Sequence, residues 1–149
     1  MRIQTTRFGP LDVEASSILR IHPGLLGFET RHRYVLLQTE ENPLFQWLQC
    51  VDDPALAFVV VDPVRWFPDY EVILRNEDAA ALGIEDPDDA GILAIVTLPA
   101  RLEEMTANLL GPIVVNVRTR RAKQVVLDDA RYHTRHRLLP QPLTATCAA

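Results

Sequence analysis

Apolar and polar residues alternate over many short stretches of the chain, and this alternation predicts β-strands. In residues 45–51 (FQWLQCV), Trp47 falls on one face and Leu48 on the other, so both faces include apolar groups. Residues 56–61 (LAFVVV) are apolar throughout, which is typical of a strand buried on both sides. The predicted strands are residues 3–6, 11–15, 17–21, 34–38, 45–51, 56–61, 70–74, 92–98, 113–117 and 123–127.

Two local patterns add a helix and a hairpin. In residues 76–84 (NEDAAALGI), Asn76 is expected to cap a short helix, the two acidic residues after it suit its positive N-terminal end, and Gly83 is expected to end it. A short polar link joins residues 113–117 to residues 123–127, which predicts an antiparallel hairpin with a basic tip in solvent.

The number and length of these elements predict the fold class. Many short strands and one short helix within 149 residues favour a mainly-β, single-domain, partly closed β-barrel-like fold. A chain of this size buries roughly 68 to 70% of its unfolded surface, enough for a core without disulfides or a cofactor. We expect the domain to span residues 1–138 and residues 139–149 to form a flexible C-terminal tail.

The sequence also predicts where the protein works. The start, MRIQTTRFG, lacks the apolar core of a signal peptide, and the longest apolar runs fall far short of the ~20 residues of a spanning helix. The two cysteines, Cys50 and Cys147, are too few for a disulfide framework. We therefore expect a cytoplasmic protein with free thiols and no membrane association.

Charge is unevenly distributed along the chain. The net charge is −5, but residues 52–89 contain eleven acidic residues against two basic ones, whereas residues 118–137 contain seven basic residues against two acidic ones. An acidic segment attracts basic proteins and repels nucleic acid. The alternative is a solvated surface with no partner.

The candidate chemistry is weak. Asp52 and Asp53 follow Cys50 closely and disfavour its thiolate, so Cys50 is expected to be a small core residue, and a Cys50-dependent enzyme is the less favoured alternative. The His-x-x-His pair His133 and His136 has cationic neighbours, which oppose metal binding. No glycine-rich phosphate loop is present. The sequence therefore predicts no catalytic residue, no metal and no cofactor.

A second alternative is an RNA-binding module that uses the basic segment 118–137. The arginines of the hairpin tip could contact phosphates, and Tyr132 could stack on a base. The acidic middle of the chain and the negative net charge argue against direct binding of nucleic acid.

The order of several motifs resembles one known family. The motifs are RFGPLDVEASSILRIHPGLLGFETRHRYVLLQ, PLFQWLQCVDDPALAFVVVDP, PDYEVIL and TANLLGPIVVNVRTRRAKQVVL followed by RY. In this order, from about Arg7 to Tyr132, they resemble the flagellar assembly factor FliW family. One departure is Cys50, which stands where members often have a serine.

This resemblance implies a β-barrel-like protein without catalytic activity. Members of the family bind flagellin in the cytoplasm, and they bind the translational regulator CsrA, which prevents CsrA from repressing flagellin messenger RNA. Free flagellin competes for the factor, so accumulating flagellin releases CsrA and stops its own translation. An acidic stretch suits this role, because an RNA-binding regulator presents basic surface.

Polar residues within the resembling motifs are the candidate partner-binding residues. They lie at expected strand ends, combine charge with an aromatic ring, or interrupt apolar runs. They are Gln49, Asp52, Asp53, Asp62, Asp69, Tyr70, Glu71, Asn108 and Asn116. For the two asparagines the alternative is that each satisfies buried backbone groups. Trp47, Phe58 and Leu74 are assigned to the core.

Overall fold

Eleven strands and two helices make up the part of the chain that the structure, a computed structural model, describes, which is residues 1–38 and 44–138. The strands are β1 (Arg2–Thr5), β2 (Gly9–Asp12), β3 (Leu19–Ile21), β4 (Arg33–Gln38), β5 (Gln46–Cys50), β6 (Ala57–Val61), β7 (Ala90–Thr97), β8 (Thr106–Ala107), β9 (Ile113–Asn116), β10 (Arg121–Gln124) and β11 (His136–Arg137). The helices are α1 (Pro63–Trp66) and α2 (Asn76–Leu82). Short 3₁₀ turns cover Ala15–Ser17, Pro87–Asp89 and Leu102–Glu104.

Seven strands form a closed barrel in the order β7-β6-β5-β4-β3-β10-β9, with β9 pairing back to β7. The β3 and β10 strands pair in parallel, and the other neighbours are antiparallel. Strands β8 and β11 extend the sheet from β7, and β1 and β2 form a separate hairpin. Closure gives each barrel strand two neighbours and removes exposed edges. The mainly-β, barrel-like prediction is confirmed.

Alternation along the strands decides which side chains fill the barrel. Leu48 and Cys50 of β5 point inward with no exposed surface, and Tyr34 of β4 lies beside them. Trp47 faces outward and is half-buried in a second apolar cluster. Phe58 and Leu74 are also partly buried against apolar clusters, so these three residues do pack against the core.

The predicted strand 70–74 is wrong. Residues 70–75 have no regular secondary structure and pair with no strand of the described chain, although Val72 and Leu74 pack inward as the alternation predicted. Helix α1 was not predicted, although Asp62 and Pro63 form a recognisable helix start: the Asp62 carboxylate accepts the Val64 N–H at 3.2 Å.

Three smaller predictions have different outcomes. Gly83 ends α2 in the left-handed conformation (φ 68°), as predicted. Asn76 does not cap this helix, because the N-cap position is Arg75 and no side chain there accepts a hydrogen bond. The antiparallel hairpin is confirmed as β9 and β10, although β10 begins two residues earlier than predicted. The expected tail 139–149 lies outside the described residues.

The strand register defines two ends of the barrel. The first, the Asp52 end, contains the turn between β5 and β6 and the start of β4 at Arg33. The second, the Asp62 end, contains the end of β6, the start of β7 and the end of β9 at Asn116. Within the described residues, no helix is both long and apolar enough to cross a membrane.

Candidate partner-binding surfaces

The turn between β5 and β6 presents two carboxylates that are paired with arginines. Asp52 accepts two hydrogen bonds from the Arg33 guanidinium, one of them 3.1 Å from Arg33 Nε, and Asp53 Oδ2 lies 3.6 Å from Arg31 Nε. The Arg33 hydrogen bonds lower the pKa of Asp52 below its usual range. Arg33 is the first residue of β4 and Arg31 lies just before that strand. Sequence reasoning missed both arginines because their pairing depends on strand register.

Gln49 lies beneath that turn and has no exposed surface. Its Nε2 atom lies 3.0 to 3.4 Å from four backbone carbonyl oxygens, those of Cys50, Asp53, Pro54 and Leu56. Its Oε1 atom has no hydrogen-bond partner among the described residues. The side chain therefore fixes the shape of the turn that presents the two aspartates.

Asp62 lies at the opposite end of the barrel from Asp52. The five residues of β6 separate the two ends, about 16 Å at roughly 3.3 Å per residue. Asp62 is exposed and caps α1. The structure thus brings Asp52 and Asp53 together but places Asp62 elsewhere.

The sequence Asp69, Tyr70, Glu71 contributes two exposed carboxylates around a buried ring. Tyr70 is 7% exposed, and its hydroxyl donates a hydrogen bond to the Leu109 carbonyl at 2.6 Å. Burial raises the pKa of Tyr70. Glu71 lies 3.7 Å from Arg131, whereas Asp69 has no ion-pair partner among the described residues. Tyr70 therefore anchors the segment that presents the two acids.

Asn108 and Asn116 both satisfy backbone groups. Asn108 Oδ1 accepts the Leu110 and Gly111 N–H groups at 3.1 and 2.9 Å. Asn116, 2% exposed, donates to the Leu82 carbonyl at 2.9 Å and accepts the Arg118 N–H at 3.0 Å. These contacts agree with the alternative interpretation, that each asparagine satisfies backbone groups. Binding of a partner by Asn108 or Asn116 stays a prediction.

The acidic and basic segments of the sequence fold against each other. Asp78 pairs with Lys123, Asp89 lies 3.4 Å from Arg118, and Glu71 approaches Arg131. Asp69, Glu77, Glu85 and Asp88 have no ion-pair partner within residues 1–38 and 44–138, and neither do Arg120, Arg121, Arg135 and Arg137. The difference in charge between the acidic and the basic segment is therefore smaller on the surface of the protein than along the sequence.

Cys50 lies inside the barrel, as predicted for a small core residue. It has no exposed surface, and burial raises the pKa of its thiol. Among the described residues no three His, Cys, Asp or Glu side chains cluster as metal ligands would. A buried thiol with a raised pKa reacts slowly with alkylating reagents.

We expect Cys50 to resist alkylation in the folded protein. In a Cys147→Ala background, iodoacetamide at pH 7.5 (~25 °C) should label Cys50 at least about a hundredfold more slowly than in urea, because labelling requires opening of the barrel. Mass spectrometry measures both rates. If the native protein were labelled as fast as the unfolded protein, the result would support the alternative of a Cys50-dependent enzyme.

Two stacked histidines join the C-terminal segment to the sheet. The rings of His133 and His136 lie 3.8 Å apart. His136 Nε2 accepts the His133 N–H at 3.0 Å, so the His136 ring is neutral in this arrangement, and His133 Nδ1 accepts the Arg135 N–H at 3.2 Å. Burial, and then the charge of His133, lowers the pKa of His136.

Acidification should therefore destabilise the protein through His136. Because its pKa is lower when folded than the unfolded value of about 6.5, this contribution is complete above pH 6.5 and is lost as the pH falls below it. We expect a loss of about 1 kcal/mol, the net value of one hydrogen bond, between pH 7 and 5. Urea denaturation of wild type and His136→Gln measures it. An equal pH dependence in both proteins would contradict this role.

The barrel and its exposed turns define a class of protein. It is a small closed β-barrel in which charged side chains on connecting loops are fixed by hydrogen bonds to backbone and by arginines. Loops on a rigid scaffold commonly present binding groups. The same fold occurs in the crystal structure of the flagellar assembly factor FliW, with a TM-score of 0.88 and 38% sequence identity, covering 94% of this chain and 98% of that chain.

The chain belongs to the FliW family of flagellar assembly factors. The family model described as "FliW protein" matches residues 2–138. The flagellar assembly factor FliW of Heliobacterium modesticaldum is 42% identical over 140 residues, 94% of this chain and 92% of that protein. That of Treponema denticola is 37% identical over 141 residues, 95% of each chain. The resemblance found in the sequence is confirmed.

Proposed function

We propose that the protein acts in the cytoplasm by binding flagellin and by binding the translational regulator CsrA, without catalysing a reaction. Membership in the FliW family is the observation that supports this most directly. In this scheme the protein prevents CsrA from repressing flagellin translation until free flagellin occupies it. The flagellin level then sets its own rate of synthesis.

Exposed or half-buried carboxylates on loops are the proposed electrostatic contacts with CsrA. Asp52, Asp53, Asp69 and Glu71 present their charges on loops, and complementary potentials speed association and set orientation. Asp62 offers a further carboxylate at the other end of the barrel. The buried or half-buried members of the predicted set, Gln49, Tyr70, Asn108 and Asn116, act by fixing the loops.

Calorimetry tests the proposal. The purified protein is titrated with CsrA and with flagellin from the same organism, first separately and then in competition. We expect both to bind and flagellin to displace CsrA. Binding of flagellin alone would leave a flagellin chaperone, and binding of neither would overturn the proposal.

Neutralising the four carboxylates should weaken CsrA binding. We expect the combined variant Asp52→Asn, Asp53→Asn, Asp69→Asn, Glu71→Gln to bind CsrA at least about tenfold more weakly, a change of about 1.4 kcal/mol. Its unfolding free energy should change by no more than about 1 kcal/mol, because exposed ion pairs contribute little. Neutral amides avoid the repulsion that lysines would create beside Arg31 and Arg33.

A matched control removes the same charge elsewhere. The variant Glu14→Gln, Glu77→Gln, Glu85→Gln, Asp88→Asn changes four exposed carboxylates that have no ion-pair partner in the described part of the chain. CsrA should bind it nearly as tightly as wild type. Equal weakening in both variants would mean that net charge acts rather than the proposed surface.

A further inference from the structure

One segment on the barrel wall, residues 71–75, pairs with no strand of the described chain. Residues 71–75 alternate as a strand does: Val72 and Leu74 pack on the apolar cluster beneath them, and Ile73 points outward with 76% of its surface exposed. Within the described residues, the N–H groups of residues 72–75 make no hydrogen bond. The segment therefore has the side-chain alternation of a strand, ends at an extended Arg75, and has backbone N–H groups that are unpaired within the described chain.

The direction of that edge follows from one hydrogen bond. The Glu71 N–H donates to the Tyr132 hydroxyl at 2.9 Å. In an extended chain, alternate residues present their N–H and C=O groups to the same side. The N–H and C=O groups of Ile73 and the N–H group of Arg75 therefore face the segment that precedes Tyr132, whereas the Arg75 carbonyl accepts the Asp78 and Ala79 N–H groups of α2.

That segment, residues 125–129, is also extended and has one free edge. The Val125 N–H bonds to the Pro112 carbonyl at 3.0 Å, and the Leu127 N–H bonds to the Leu110 carbonyl at 2.8 Å. By the same alternation, the N–H groups of Val126 and Asp128 face the opposite way, and they make no hydrogen bond within the described chain.

A groove of about 270 Å³ separates the two segments and is lined by both. They run in opposite directions, because Glu71 lies 3.7 Å from Arg131 at one end and Asp78 pairs with Lys123 at the other. Ile73 and Val126, both largely exposed, provide apolar surface along it. The groove is thus bordered on both sides by unpaired backbone, the arrangement into which an added strand fits.

The charged side chains of the groove indicate which kind of segment would bind there. Four carboxylates line the groove, those of Glu71, Asp78, Asp128 and Asp129. The cations are Arg75 in the lining and Lys123 and Arg131 beside it, so the groove has an excess of one negative charge. Lys123 and Arg131 pair with three of the four, which leaves Asp128 without an ion-pair partner in residues 1–38 and 44–138. The groove therefore favours a segment with basic residues.

We propose that this groove binds an extended segment of a partner protein, with alternating apolar and basic residues, as an added β-strand. The apolar side chains would contact Ile73 and Val126, and the basic ones would lie near Asp128. The proposal rests on the protein-binding role proposed above and names the kind of segment that is bound.

A peptide selection tests the groove without assuming a partner. A phage library of random twelve-residue peptides is selected on the full-length wild-type protein and compared with Ile73→Pro. Proline removes one groove-facing N–H that makes no internal hydrogen bond, and the lost side chain is mostly in solvent, so the fold should persist. Val126→Pro does the same on the other border.

Asn76→Pro is the matched control. It places a proline at the first residue of α2, where a helix needs no N–H, and Arg75 before it already has the extended conformation that proline requires (φ −68°, ψ 151°). We expect selected peptides with alternating apolar and basic residues to bind wild type and Asn76→Pro, and to bind Ile73→Pro and Val126→Pro at least tenfold more weakly. Thermal unfolding of all four proteins verifies their folding.

Amide exchange by NMR locates the bound peptide. Exchange at Ile73, Arg75, Val126 and Asp128 should slow on binding. Selection of no peptide that prefers wild type to the proline variants, or protection confined to other amides, would overturn the proposal. If the protein alone forms dimers and Ile73→Pro abolishes them, the groove binds a second copy of this chain. That result would also overturn the proposal. If peptides bind to the groove but neither CsrA nor flagellin binds to the protein, the proposed function is wrong and the groove proposal stands.

Discussion

Replacing Gln49 by glutamate is expected to lower the free energy of unfolding by about 3 to 5 kcal/mol at pH 7, the cost of a buried charge without a partner. Four backbone carbonyl oxygens surround the Gln49 amide nitrogen, which donates to them. Glutamate brings a negative oxygen to that position and offers no donor. Its charge can be neither solvated nor paired there, because the side chain is fully buried.

Acid should partly rescue this variant. Burial and the surrounding carbonyl groups raise the pKa of the introduced carboxyl, so the protonated form, which can donate a hydrogen bond, is favoured in the folded state. Urea denaturation should therefore show a smaller difference from wild type at pH 5 than at pH 7. Gln46→Glu, the same change at a half-exposed position of the same strand, should cost less than about 1 kcal/mol. Equal costs at the two positions would contradict the assigned role of Gln49.

Replacing Trp47 by alanine should cost about 2 to 4 kcal/mol and loosen the N-terminal hairpin. The ring is half-buried on the outer wall of the barrel, so the cost falls below that of a fully buried tryptophan. It meets the edge of Phe8 at 5.9 Å between centroids, and the Arg7 guanidinium lies 4.2 Å above it. Both residues lie in the turn between β1 and β2, so Trp47 attaches that hairpin to the barrel.

Two measurements distinguish this role from a place in an interface. Chemical denaturation gives the stability change, and hydrogen exchange should accelerate in β1 and β2 more than in β5. Trp47→Phe keeps an aromatic ring opposite Phe8 and should lose about half as much stability. A Trp47→Ala protein with wild-type stability that no longer binds a partner would place this ring in the interface instead.

The sequence predicted the barrel strands better than their neighbours. Residues 56–61 are apolar on both faces because β6 is covered on both sides, so composition alone identified the strand. Residues 70–74 alternate equally well, yet they pair with no strand in the part of the chain that the structure describes. Alternation reports which side chains are buried, whereas a strand also needs a hydrogen-bonding neighbour, which a single sequence does not reveal.

The candidate surface was predictable in part for the same reason. Two aspartates followed by proline identified the turn after β5, and within it the Asp53 carboxylate accepts the Ala55 N–H, a contact between neighbouring residues. Its pairing with Arg31 and Arg33, and the separation of Asp62 to the other end of the barrel, depend on the register of strands distant in sequence. The burial of Gln49 and Asn116 could not be predicted for the same reason. A polar residue in a strand is expected to be exposed unless the pairing of that strand with its neighbours is known.

The parallel pairing of β3 with β10 sets the order in which the chain can fold during synthesis. Arg20 and Ile21 pair with Arg121 and Ala122, residues that a ribosome adds about a hundred positions later, at roughly 5 to 20 residues per second. For several seconds the nascent chain therefore consists of an open β3-to-β7 meander with two unpaired edges. Barrel closure waits for the last quarter of the chain, and contacts of such long range place folding in the slow, millisecond-to-second class.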